Sequence, residues 1–135
     1  QVKKAYGDKV SISFKHFPLG FHKDAKPAAI ASMAAHRQGK FWEMHDKLFE
    51  NQRALTRENF VEWAGELGLD VEKFEKDLDD PALARWVDSD MRQGGSVGVR
   101  GTPATFVNGR LVSGAQPFPA FKTVIDEELK KAKEG

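Results

Sequence analysis

Apolar residues recur with two different periods along this chain. Val10, Ile12 and Phe14 alternate with Ser11, Ser13 and Lys15. A period of two places successive side chains on opposite faces of an extended backbone, so residues 10–14 are expected as a strand, ended by Pro18 and Gly20. Before it, Val2, Ala5 and Tyr6 give residues 1–6 one apolar side, which predicts the last turns of a helix closed at Gly7. After it the period lengthens. Ile30, Met33, Ala34 and Ala35 mark the inner side of a helix that opens at Asp24, carries Pro27 in its first turn and stops at Gly39. Phe41, Trp42, His45, Leu48 and Phe49 follow at helical spacing. Thr56 is placed to cap a third helix with Phe60, Trp63, Ala64 and Leu67 inside and Gly68 at its end. Asp70 opens a fourth, with Val71, Phe74 and Leu78 inside. Asp80-Pro81 joins a capping carboxylate to a proline at the first helical position, and Leu83, Val87 and Met91 share a face of the helix beyond, which Gly94 and Gly95 weaken.

The pattern then returns to the extended kind. Ala104-Thr105-Phe106-Val107 and Arg110-Leu111-Val112 flank Asn108-Gly109, the pair that best supplies the two positive-φ residues of a tight hairpin turn. Pro117 opens a last helix with Phe118, Phe121, Ile125 and Leu129 on one face, and its basic tail suits the negative end of the helix dipole. A strand, several helices and a hairpin predict an α/β fold. The strand at 10–14 and the strand at 104–107 are expected in one sheet, with a helical segment of residues 24–98 inserted between them.

Composition narrows the chemistry. Of 135 residues, 21 are Lys or Arg and 20 are Asp or Glu, a balance that gives no basic surface for nucleic acid. No apolar run is long enough to cross a bilayer, and no signal peptide is visible. The chain starts at Gln1 and reads as a processed or truncated piece of a longer product. It contains no cysteine, so these residues hold no disulfide, thiolate metal site or cysteine nucleophile. His16, His22, His36 and His45 form no His-x-x-x-His pair, and no metal or cofactor is expected. His16 and His22 are read as flanking the loop after the first strand, and His45 as packing beside Trp42 and Phe49. Trp42, Trp63 and Trp86 are read as core or groove-wall residues, because no basic stripe accompanies them.

Residues 98–110, Gly-Val-Arg-Gly-Thr-Pro-Ala-Thr-Phe-Val-Asn-Gly-Arg, carry the most information. Proline is awkward where a strand begins, since it donates no amide. On the residues alone Pro103 is either an ordinary trans turn residue or the carrier of a cis bond, which turns the chain and leaves the backbone of the preceding residue free. The segment resembles the cis-proline loop and hairpin of the DsbA family of thiol–disulfide oxidoreductases, within the thioredoxin superfamily. It is most similar to the group called thioredoxin-type 4. Lys15-His16-Phe17-Pro18-Leu19 with Phe21-His22, Gly39-Lys40-Phe41-Trp42-Glu43-Met44-His45-Asp46, and Ser113-Gly114-Ala115-Gln116-Pro117-Phe118 agree with it in the right order, so the resemblance covers essentially the whole chain.

The resemblance implies a thioredoxin-like fold of DsbA type. Residues 1–23 and 99–135 are its thioredoxin part, and 24–98 its inserted helical subdomain. It implies that Pro103 carries a cis bond and that the backbone of Thr102 pairs with extended, cysteine-containing polypeptides, held in a groove beside the helical insert. It also implies an extracytoplasmic, periplasmic setting. The family's Cys-x-x-Cys motif falls at the start of a helix that this sequence joins part-way, after a first strand that is likewise missing. The expected function is therefore the non-redox remainder of an enzyme that forms, reduces or isomerises protein disulfides, inactive alone. A cysteine-free peptide-binding module and a glutathione-using relative of kappa-class type are the alternatives. A strand with Cys-x-x-Cys encoded upstream favours the first reading, a strand without cysteines the second, a serine-bearing glutathione loop the third. A missing central strand leaves two open edges, so a homodimer by strand exchange is also expected.

Overall fold

The structure, a computed structural model, describes residues 1–135. Its elements are α1 (Val2–Tyr6), a 3₁₀ turn (Gly7–Lys9), α2 (Ala25–His36), α3 (Phe41–Glu50), α4 (Arg57–Glu66), α5 (Val71–Leu78), α6 (Pro81–Ser96), β1 (Ala104–Val107), β2 (Arg110–Ser113) and α7 (Phe118–Glu134). Contacts divide them into two units: Gln1–Lys15 with Gly95–Gly135, and His16–Gly94.

The second unit is wholly helical and organised around α2, which packs against α3, α4 and α5. Ala31, Ala34 and Ala35 present almost no side chain and are completely buried, which lets neighbouring helices approach closely. Around them close Met44 and Leu48 of α3, Phe60, Trp63 and Ala64 of α4, Phe74 of α5, and Leu83 and Val87 of α6. Leu48, Phe60, Trp63, Ala64, Phe74, Leu83 and Val87 are positions that helical spacing selects, whereas in α3 Met44 is buried and Trp42 and Phe49 are exposed; burial of this cluster is the main force holding five short helices together.

Capping residues set the boundaries. Thr56 Oγ1 accepts from the Asn59 amide at 3.3 Å, Asp70 Oδ1 from the Lys73 amide at 3.0 Å, and Asp80 Oδ1 from the Ala82 amide at 2.8 Å. Asp24 stands at the N-cap of α2, but its side chain accepts no capping bond. Its backbone is already near-helical at φ −91° and ψ −6°, whereas a capping side chain needs an extended residue behind it. The α6 helix runs through Gly94 and Gly95 to Ser96, because two glycines soften a last turn without forbidding it. Replacing Thr56 by alanine removes a cap and is expected to cost about 1 kcal/mol, read as a lower denaturant midpoint with an unchanged slope.

An ionic clamp adds to this unit. The Arg37 guanidinium, just past α2, donates from Nη1 to Asp77 at 2.6 Å and to Asp80 at 2.7 Å, and Lys73 Nζ donates to Asp77 at 2.7 Å. Burial of Asp77 alone would raise its carboxyl pKa; the bonds from Lys73 and Arg37 outweigh that and hold it below the ordinary value.

In the first unit β1 and β2 pair antiparallel, from Ala104 opposite Ser113 to Val107 opposite Arg110. The turn between them holds Asn108 at φ 48° and Gly109 at φ 86°, the positive values that a two-residue turn requires and that Asn-Gly tolerates. Val112 and Ile125 are buried. Arg110 reaches α7 through Glu127 at 2.6 Å and Glu128 at 3.1 Å, and the Tyr6 hydroxyl ties α1 to α7 by donating to Asp126 at 2.6 Å.

One expectation fails here. Residues 10–14 are not a strand, and the sheet has two strands only. Val10 has extended dihedrals of −130° and 144°, and Ile12 and Phe14 are about half exposed. A strand also needs a ladder, and no strand of this chain lies alongside to supply one.

Candidate polypeptide-binding site

The segment from Gly98 to β1 is irregular, and its backbone accounting singles out one residue. Pro103 C=O accepts from the Gly114 amide at 2.9 Å, which extends the hairpin ladder by one bond beyond Ala104 and Ser113. The Thr102–Pro103 peptide bond is cis. Thr102 and Pro103 are exposed, and neither the amide nor the carbonyl of Thr102 has a partner in the chain. Backbone donors and acceptors without a partner are uncommon unless water or a ligand takes them. Beyond Thr102, one edge of β1 faces β2 and no strand covers the other.

This arrangement is made of backbone groups. It offers one donor, one acceptor and an open strand edge, the elements of pairing with another extended chain. It includes no carboxylate, imidazole or thiol to move a proton or attack an electrophile.

The histidines lie elsewhere, in the helical unit. His16 is buried, its ring edge-on to Phe41 at 6.2 Å, and its amide donates to Asp90 Oδ2 at 3.0 Å. Burial pushes its imidazole pKa down, against an opposing pull from Asp90. His22 is exposed and tilted against Phe21 at 4.4 Å. His45 packs between Trp42 at 5.2 Å and Phe49 at 4.6 Å, with Nδ1 lying 2.9 Å from Asp46. His36 meets Phe41 at 6.2 Å and Trp86 at 5.9 Å. Of the three tryptophans Trp63 is core, while Trp42 and Trp86 are half exposed on the surface of the helical unit. Asp90 lies outside the motifs of the sequence. The signal was present: at helical spacing from Leu83 and Val87, Asp90 is a carboxylate on an apolar stripe.

A family model described as a DSBA-like thioredoxin domain matches residues 1–126. The chain belongs to that family. The thioredoxin-like fold is the one expected, with a helix-dominated α/β arrangement and a small sheet. It is similar to a solved thioredoxin-like oxidoreductase from Silicibacter pomeroyi, with a TM-score of 0.69 and 25% identity over 86% of this chain and 66% of that one. A probable disulfide bond formation protein D of Bacillus cereus is 34% identical over 97% of this chain and 64% of its own length. A protein of Herminiimonas arsenicoxydans named as the Na(+)/H(+) antiporter NhaA is 42% identical over 93% of this chain, which spans only 20% of that relative. The chain thus covers under two thirds of these relatives, and a fifth of the antiporter-named one. No helix of the structure is long and apolar enough to cross a membrane.

Proposed function

We propose that this chain is the polypeptide-pairing part of a disulfide oxidoreductase of the DsbA type, one that forms, reduces or isomerises protein disulfides in an extracytoplasmic compartment. The observation that carries the reading is the exposed Thr102 backbone with its amide and carbonyl unengaged, next to Pro103 and in line with the open edge of β1. Extended, cysteine-containing polypeptides are the substrates that such a backbone suits, because pairing through the main chain is indifferent to sequence. Thr102 and Pro103 are the proposed substrate-binding residues. The thiolate that attacks a disulfide is not among these 135 residues, so these residues supply recognition and not exchange. The similarity to disulfide bond formation protein D supports the family chemistry.

Insulin reduction by dithiothreitol tests the division of labour. The chain alone is expected to leave the rate at the no-protein control. Turnover above that control would place thiol-independent chemistry somewhere in the chain and overturn the reading.

A second reading is favoured by the 42% identity to the antiporter-named protein, of which this chain spans a fifth: such a domain serves as an appended module of a larger membrane protein. Self-association is part of the proposal as well. Residues 10–14 of a second copy have the length and alternation to add to the open edge of β1, giving a homodimer by strand exchange.

A further inference from the structure

The sequence holds three asparagines, Asn51, Asn59 and Asn108. Two of them are tied down. Asn51 Nδ2 donates to the Lys47 carbonyl at 2.8 Å and Asn59 Nδ2 to the Ala54 carbonyl at 2.7 Å, and both residues are half-buried. The amide after Asn59 is also in use, since that of Phe60 donates to the Thr56 carbonyl at 3.0 Å. Asn108 differs in each respect. It lies at the tip of the hairpin, it is exposed, and its side-chain amide has no partner in the chain. The amide of Gly109, which follows it, has no partner either. A two-residue turn leaves that amide outside the ladder, because Val107 and Arg110 close the pairing beneath it.

These two groups can react with each other. Bond formation between the Gly109 nitrogen and Asn108 Cγ closes a five-membered ring, and attack within one molecule is fast once the two ends can be brought together. Glycine adds no side chain to obstruct the approach, and a Cβ placed on Gly109 would meet no atom within 4 Å, so the tip has room to turn. We propose that Asn108 is a site of spontaneous covalent modification, deamidation through a succinimide. Hydroxide removes the Gly109 amide proton, and the nitrogen attacks Asn108 Cγ. The new C–N bond forms, the bond from Cγ to Nδ2 breaks, and ammonia leaves with a proton from water, which restores the hydroxide. Water then opens the ring. Breaking the new bond gives aspartate; breaking the original peptide bond gives isoaspartate, whose main chain runs through Cγ and is longer by one carbon. Nothing is oxidised or reduced. The two products differ in their effect on the fold. Asp-Gly suits the same turn as Asn-Gly, whereas the longer backbone does not fit a two-residue turn. The isoaspartate form loses the register of a ladder that starts at Val107 and Arg110 and ends at the Pro103 carbonyl, next to Thr102. The chemistry at Asn108 stands independently of the reading of Thr102 as a pairing site.

The test incubates the full folded chain in mildly alkaline buffer, beside a peptide of residues 104–113 and an Asn108→Gly variant, and follows each by digestion and mass spectrometry. The segment holding Asn108 is expected to be lost in favour of two new species, each heavier by the exchange of NH₂ for OH, faster as pH rises. Asn51 and Asn59 should stay intact, and Asn108→Gly, which keeps a turn-forming pair, should show no such change. In the separated isoaspartate fraction the cross-strand NMR contacts between Val107 and Arg110 should disappear, while an Asn108→Asp variant keeps them. An Asn108 that stays intact in the folded chain while the peptide converts would overturn the proposal, because the turn would then protect it. So would conversion of Asn51 or Asn59 at the same rate. An isoaspartate fraction with unchanged contacts between Val107 and Arg110 would overturn the predicted loss of register.

Discussion

Replacing Phe74 by alanine is expected to cost the helical unit roughly 3–5 kcal/mol. Phe74 has no exposed surface and is the largest completely buried side chain of the protein. It is also what attaches α5, an eight-residue helix too short to persist in water without packing. It belongs to the buried cluster that includes Ala31, Ala34 and Ala35 of α2, the helix against which α5 packs. Removing it forfeits the transfer free energy of the ring and leaves a cavity that a close-packed interior closes only in part. Urea unfolding followed by far-UV circular dichroism checks the value. A loss below about 1 kcal/mol would mean that α5 is held chiefly by the Arg37, Lys73 and Asp77 clamp and not by its apolar face.

Enlarging the core should also destabilise, for the opposite reason. Ala34 is completely buried on the helix that α3, α4 and α5 all contact, and it sits beside Ala31 and Ala35, which are equally buried. Leucine there inserts three carbons at a completely buried position. The neighbouring helices must shift or the side chain must leave its rotamer, at roughly 1–3 kcal/mol. The same urea experiment reads it. An unchanged midpoint would show that α2 is packed more loosely than its burial indicates, since a site with room gains apolar contact from leucine and does not lose stability.

How legible these features were depends on how local their causes are. The helices were readable because periodicity and caps act within a few residues: Thr56, Asp70 and Asp80 cap where the sequence placed them, and Phe60, Trp63, Phe74, Leu83 and Val87 are buried where the spacing put them. The hairpin was readable because Asn108-Gly109 satisfies a turn almost irrespective of context. Residues 10–14 were misread for the complementary reason. Alternation reports which way side chains point, while strand formation depends on a partner that no local pattern reveals. Asp24 shows the same limit on a smaller scale, since a residue of capping type cannot cap once its own backbone has turned helical. For the candidate site, Thr102 and Pro103 were singled out by resemblance to a family motif, and the unengaged backbone of Thr102 is a property of the hydrogen bonds around it that no sequence pattern reports. The pairing of His16 with Asp90 spans 74 positions, a separation that no sequence pattern reports.

The most direct test of the account is a titration of the isotopically labelled chain with an unstructured, cysteine-containing peptide, followed through backbone amide shifts. The proposed pairing predicts saturable shifts at Gly101, Thr102 and Ala104 and along β1, with the Phe74 and Met44 amides unmoved. Amides at Gly101, Thr102 and Ala104 that stay fixed at millimolar peptide, or a saturable response confined to other residues, would contradict it.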